Sequence, residues 1–146
     1  MYDGGSGRHA ILTQMIDVER IDFITIPTRN ADAARRFYRQ VLGLPADPNN
    51  DAEIAVANVT LTFWNPESDG VEFKSNEAGF ALRVADVESA RERLEAEGVE
   101  FLGDTVDTGV CHMAFLRDTD GNVLILHRRY AGYTEPARSQ SETAVA

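Results

Sequence analysis

Two stretches of sequence decide the fold: IDFITIPTRNADAARRFYRQVLGLP at Ile21–Pro45, and GFALRVADVESARERLEAEGVEF at Gly79–Phe101. Each stretch is typical of a short apolar strand, a polar helix cap and an amphipathic helix that ends at a glycine. Shifting the first stretch by 56 positions places its cap on the cap of the second stretch and aligns the two helices. The shift pairs Asn30 with Asp86, Ala34 with Ala90 and Tyr38 with Leu94; a one-residue slip then pairs Gly43 with Gly98. The chain is therefore predicted to contain two tandem half-domains, and such halves often enclose a cavity between their sheets.

The remaining segments complete the same plan in each half. Strands are predicted after the first helix at 53–57, 58–65 and 70–75, and after the second at 100–102, 110–117 and 123–129. The order of strand, helix and three strands, given twice, predicts an α+β fold of two βαβββ modules over about 18–75 and 76–131. The Gly/Ser-rich start is predicted to be a flexible extension over 1–17, and the polar end a disordered tail over 132–146.

Composition narrows the classes of function. The net charge of −10, with no basic patch, argues against a nucleic-acid partner. No apolar run reaches the length of a membrane span, and the N-terminus lacks a signal pattern, so we expect a cytoplasmic protein without a membrane partner. The single cysteine, Cys111, excludes an intrachain disulfide and a cysteine-built zinc site. The acidity either attracts a cationic ligand or simply keeps the surface solvated.

Three motifs carry a resemblance to a known family: FYRQVLGL at Phe37–Leu44, DVESARERLEAEGV at Asp86–Val99 and FLRDTDGNVLIL at Phe115–Leu126. Over about residues 20–130 the chain resembles the vicinal oxygen chelate superfamily, which includes glyoxalase I, extradiol dioxygenases, fosfomycin resistance proteins and bleomycin resistance proteins. The resemblance implies the glyoxalase/bleomycin resistance/dihydroxybiphenyl dioxygenase fold, with each sheet curled around a concave site. It also implies a homodimer in which the site often lies where two modules meet.

The resemblance further implies four positions for metal ligands. Enzymes of the superfamily hold a divalent metal with His, Glu or Gln side chains at these strand positions, which match Phe23, Leu61, Gly79 and Ile125 in this sequence. None of these four residues has a side chain that coordinates a divalent cation. The match therefore implies a site without a metal or other cofactor, as in the bleomycin resistance branch.

The alternation of strand side chains then predicts which residues line the site. The candidate ligand-binding residues are mostly apolar or aromatic: Phe23, Thr25, Leu61, Phe63, Arg83, Cys111, Met113, Phe115, Ile125 and His127. Arg83 either meets an anionic or carbonyl group of the ligand, or lies at the strand end and pairs with Asp86 or Glu88. His127 either contacts the ligand, as hydrogen-bond partner, acid or base, or is structural.

Other reactive residue types have simpler interpretations. Cys111, a lone strand cysteine, is typical of a small buried hydrophobe rather than of a nucleophile. His112 should point to the opposite face from His127, so a metal held by these two histidines would require broken alternation. The DTDGN run at Asp118–Asn122 lacks the remaining ligands of a calcium loop and predicts a turn.

Three functional hypotheses follow. The first is a metal-free small-molecule-binding protein, of the bleomycin resistance type, that sequesters an aromatic or cationic compound. The second is an enzyme of the glyoxalase, dioxygenase or lyase type, which uses displaced metal ligands or acid–base chemistry by His127 and Arg83. The third is a regulatory or structural module whose pocket is vestigial.

Overall fold

The computed structural model describes residues 16–132 and residue 134. Most of the predicted extension and tail, at 1–15, 133 and 135–146, therefore lies outside the described residues. Of the described residues, 22–132 and 134 form one compact unit. Residues 16–21 belong to a second unit and are exposed, without helix or strand.

The first module consists of four strands and one helical segment. Its elements are β1 (Phe23–Pro27), α1 (Ala31–Arg36) continued by a π-helical turn (Phe37–Val41), β2 (Ala46–Asp47), β3 (Asn50–Val56) and β4 (Val59–Trp64). The strands form a sheet of order β1-β4-β3-β2, in which β1 is parallel to β4 and the other pairs are antiparallel. The Asn30 side chain caps α1 by accepting a hydrogen bond from the Ala33 backbone N–H, as predicted from its position.

The second module repeats this arrangement. Its elements are β5 (Ala81–Arg83), α2 (Val87–Ala96), β6 (Phe101–Asp107), β7 (Cys111–Arg117) and β8 (Val123–Arg129), and its sheet has the order β5-β8-β7-β6. Asp86 caps α2 by accepting from the Ser89 N–H. Two βαβββ modules with matching sheet orders confirm the predicted fold.

One predicted strand is wrong. Residues 70–75 form no strand, because Pro66–Asp69 makes a 3₁₀ turn that ends at Gly70 in the left-handed conformation (φ 73°). The third strand of the first module is instead β2, a two-residue strand that lies before β3. Phe73 of the misassigned segment is buried, with the Arg29 guanidinium 4.3 Å from its ring centre.

The helices cover one face of each sheet, and the buried core lies between helix and sheet. Both modules contribute to a common set of buried apolar residues: Ile26, Phe37, Tyr38, Ile54, Leu61, Val87, Leu94, Ala114, Leu116, Leu124 and Leu126. The opposite face of each sheet, here called its open face, carries no helix of its module. Within the described residues, no helix is long and apolar enough to cross a membrane.

Candidate small-molecule site

The open face of the second sheet brings together six predicted site residues. Strand pairing aligns Met113 with His127 and Phe115 with Ile125, so these four side chains share one face. Arg83 aligns with His127 across the parallel pair of β5 and β8. The alternation along β7 adds Cys111 to this face.

The face is apolar at its centre and polar at one edge. Met113, Phe115 and Ile125 are half-buried and form the apolar part. Leu102 and Val106 of β6 pair with β7 and add their side chains to it. His127 is half-buried, and Arg83 is exposed and engaged in an interaction within the chain. An aromatic and apolar surface beside a few polar groups is the usual character of a small-molecule site.

The open face of the first sheet differs from the predicted one. Phe23 and Thr25 lie on it, and strand pairing places Thr60 beside Phe23 and Thr62 beside Thr25. Trp64, paired with Pro27, follows on the same face and is 40% exposed. Sequence reasoning missed Thr60, Thr62 and Trp64.

The assignment of Leu61 and Phe63 to the ligand-lining face was wrong. Leu61 pairs with Ile24 and Ile54 and is 1% exposed, in the core under the helix. Phe63 packs against the same core, with its ring 5.3 Å from the Tyr38 ring. The strand VTLTFW alternates an apolar set with a Thr/Thr/Trp set, and the hydrophobic effect places the apolar set in the core.

With Leu61 in the core, the fourth metal-ligand position that the family resemblance implies falls on Thr62 instead. In the second module, Ile125 pairs with Ala81. The 56-residue repeat relates Ala81 to Thr25 in the first module. Thr25 pairs with Thr62, so Thr62 is the counterpart of Ile125. The four positions therefore hold Phe23, Thr62, Gly79 and Ile125. A neutral hydroxyl with two apolar side chains and a glycine does not fit a divalent cation.

Gly79 is also closed to any side chain. Its φ is +74°, and a Cβ added there would lie 2.6 Å from the Val123 carbonyl oxygen. A coordinating side chain at this position would therefore require the backbone to move. Within the described residues, no group of three or more His, Cys, Asp or Glu side chains could hold a metal ion.

The Asp118–Asn122 turn is structural and joins the two modules. Asp118 is 7% exposed and accepts a 2.8 Å hydrogen bond from the Tyr38 hydroxyl of the first module. Asp120 accepts a 2.5 Å hydrogen bond from the Thr28 hydroxyl, and the Asn122 amide donates to the Pro27 carbonyl at 2.8 Å. Burial, followed by the negative charge of Asp118, raises the pKa of the Tyr38 hydroxyl, which keeps its proton and acts as a donor.

The remaining reactive side chains do not lie together on the open face. Cys111 is buried, with its Sγ 3.0 Å from the Thr108 hydroxyl oxygen. His112 pairs with Arg128 on the helix-covered face of β7, opposite to His127. It lies 3.5 Å from the Asp107 carboxylate and 4.9 Å, centre to centre, from the Tyr130 ring. The two histidines therefore do not form a metal pair.

Sequence comparison identifies the family. A sequence profile of the Glyoxalase/Bleomycin resistance protein/Dioxygenase superfamily matches residues 20–126. This range contains nearly all of the first module, and the second module up to Leu126 in β8. The chain belongs to this superfamily, the vicinal oxygen chelate group. Among curated proteins, none matches the chain.

Solved structures with the same fold have names that describe different functions. A glyoxalase/bleomycin resistance protein/dioxygenase from Nocardioides superposes with a TM-score of 0.67 at 19% identity, covering 92% of this chain and 99% of its own. TnmS3, an antibiotic binding protein from Streptomyces sp. CB03234, gives 0.63 at 24% identity, covering 79% and 99%. A lactoylglutathione lyase from Agrobacterium tumefaciens gives 0.61 at 17% identity, covering 76% and 94%. These similarities establish the fold.

Proposed function

We propose that this protein binds a small aromatic molecule on the open faces of its sheets and does so without a metal ion. The proposal rests on the residues at the four positions that the resemblance gives to metal ligands: Phe23, Thr62, Gly79 and Ile125. Their side chains together offer one neutral oxygen atom, the Thr62 hydroxyl. A metal bound there would lack the charged or imidazole ligands that hold divalent cations in proteins. The role is then that of a binding protein, which sequesters its ligand in the cytoplasm.

The residues of the open faces favour an aromatic ligand. Phe23 is 60% exposed on the first open face, and Phe115 lies half-buried on the second, so both rings are available for stacking. Thr25, Thr60 and Thr62 provide hydroxyl groups beside Phe23 for hydrogen bonds to the ligand. TnmS3, a protein of the same fold, is named as an antibiotic binding protein, which supports a small-molecule ligand. The net charge of −10 would assist encounter with a cationic compound.

Thermal shift against a panel of aromatic antibiotics and aromatic metabolites tests the proposal. A ligand at one hundred times its dissociation constant is expected to stabilise the native state by about 2.7 kcal/mol and thus to raise Tm. In calorimetry, Phe23→Ala and Phe115→Ala are each expected to weaken the best ligand by about tenfold, because each removes about 1.5 kcal/mol of aromatic contact.

Val71→Ala is the matched control, because Val71 is an exposed apolar residue outside both sheets. It is expected to leave the affinity unchanged. A panel in which no compound raises Tm would contradict the proposal. So would a ligand whose affinity is the same in both phenylalanine variants as in the wild type.

A homodimer is part of the proposal. The open faces of the single chain expose large apolar side chains, with Phe23 60%, Val106 41% and Trp64 40% exposed. Exposed apolar residues grouped on sheet faces are typical of interaction surfaces, and a second copy would supply the opposite wall of the site. Sedimentation equilibrium is expected to give twice the chain mass. A monomer that still binds the ligand with full affinity would contradict this part of the proposal.

The second candidate is an enzyme, and one observation favours it. Arg83 and His127 are neighbours across β5 and β8, which would put a guanidinium and an imidazole against the same part of a ligand. His127 would transfer a proton while Arg83 stabilises a developing oxyanion. His127→Gln separates the two functions: it would abolish turnover in an enzyme, whereas in a binding protein its effect appears in the affinity alone.

A further inference from the structure

The strongest feature outside the open faces is a basic cleft on the first module. It has a volume of about 610 Å³ and lies along α1, the π-helical turn and the segment that leads into β2. Its basic side chains are Arg35, Arg36 and Arg39. Of the described residues that line it, Asp32 is the acid, and it is ion-paired with Arg35.

This cleft is basic, although the protein as a whole is acidic. The chain has 24 acidic and 14 basic residues, yet three arginines within a span of five positions line one cleft. Cations near a helix C-terminus stabilise its dipole, which accounts for Arg35 and Arg36 in the last turn of α1. Arg39 lies in the last turn of the π-helical continuation of α1, where the same effect applies. It is three and four positions from Arg36 and Arg35, a spacing at which like charges repel. An anion between these side chains would offset the repulsion.

We propose that this cleft binds a small organic phosphate. Guanidinium groups pair with phosphate oxygens through two parallel hydrogen bonds, and Arg36 and Arg39 are both exposed and able to make them. Leu44 and Pro45 also line the cleft and provide an apolar surface for the organic part of the molecule. The volume lies within the usual range of small-molecule sites and is larger than a bare phosphate requires. The proposal is independent of the function assigned to the open faces.

Calorimetric titration of the full chain with ADP and with inorganic pyrophosphate tests this assignment. Binding of ADP is expected at both low and physiological ionic strength, and tighter than that of pyrophosphate because only ADP reaches the apolar wall. The double variant Arg36→Gln/Arg39→Gln is expected to weaken ADP binding by at least tenfold, since it removes two charge-assisted contacts. Both side chains are exposed, so the variant should fold, which an unchanged Tm would verify.

Arg93→Gln is the matched control. Arg93 is an exposed arginine in the last turn of α2 and does not line the cleft, so this variant makes a single Arg→Gln change elsewhere on the surface. It is expected to bind ADP within twofold of the wild type. The proposal is overturned if neither compound binds, or if ADP binds no tighter than pyrophosphate. It is also overturned if the double variant binds ADP like the wild type, or if Arg93→Gln weakens ADP binding as much as the double variant.

Discussion

Asp118→Ala is expected to lower the free energy of unfolding by about 3–5 kcal/mol, the range for breaking a buried charged hydrogen-bond network. The Asp118 carboxylate is 7% exposed and accepts from the Tyr38 hydroxyl, from the backbone N–H groups of Asp120 and Asn122, and from the Asn122 amide. Alanine would leave these donors buried or half-buried without their acceptor. Urea denaturation followed by circular dichroism measures the change.

Two further variants make this prediction specific. Tyr38→Phe removes one donor of the network and is expected to cost about 1–2 kcal/mol. Asp104→Ala removes an exposed aspartate from β6 and should change stability by less than about 0.5 kcal/mol. If Asp118→Ala were no more damaging than Asp104→Ala, the turn would not be the junction that holds the two modules together.

Gly79→Ala is the second large effect, with an expected loss of about 2–4 kcal/mol. Two costs add: about 1 kcal/mol for placing alanine at a positive φ, and about 1–3 kcal/mol for overpacking against neighbouring backbone. The steric cost arises because the new Cβ would lie 2.6 Å from the Val123 carbonyl oxygen. Thermal unfolding of the purified variant would measure the loss.

Gly70→Ala separates the two costs. Gly70 has a φ of +73°, almost that of Gly79 at +74°, but a Cβ added to it meets nothing within 4 Å. This variant should therefore lose only the conformational cost of about 1 kcal/mol. Equal losses in the two variants would mean that position 79 can accommodate a side chain, and with it a metal ligand.

The two-module fold could be predicted from sequence because its evidence is local and repeated. Asn30 and Asp86 cap their helices as predicted, and the strands β7 and β8 lie close to their predicted bounds. On the second sheet the alternation also placed Phe115, Ile125 and His127 on one face, as strand pairing does. There the phase came from the position that the resemblance gives to Ile125, and the alternation of strand side chains extended it to the neighbouring residues.

The first sheet was harder to predict because its strands give ambiguous patterns. In β4 the phase was taken from the position that the resemblance gives to Leu61, although Thr60, Thr62 and Trp64 form the more polar of the two alternating sets. The pairing of Leu61 with Ile24 shows which set faces the core, and this pairing belongs to the tertiary structure. The two-residue strand β2 and the π-helical turn at Phe37–Val41 likewise depend on packing and have no sequence pattern of their own.

Elemental analysis by mass spectrometry, on protein produced in medium supplemented with zinc, iron, nickel and manganese, would show whether the protein holds a metal ion. We expect far less than one metal ion per chain, and ligand binding that is unchanged by a chelator. One tightly held ion per chain, whose removal abolishes binding or turnover, would contradict the claim that the open faces bind their ligand without a metal.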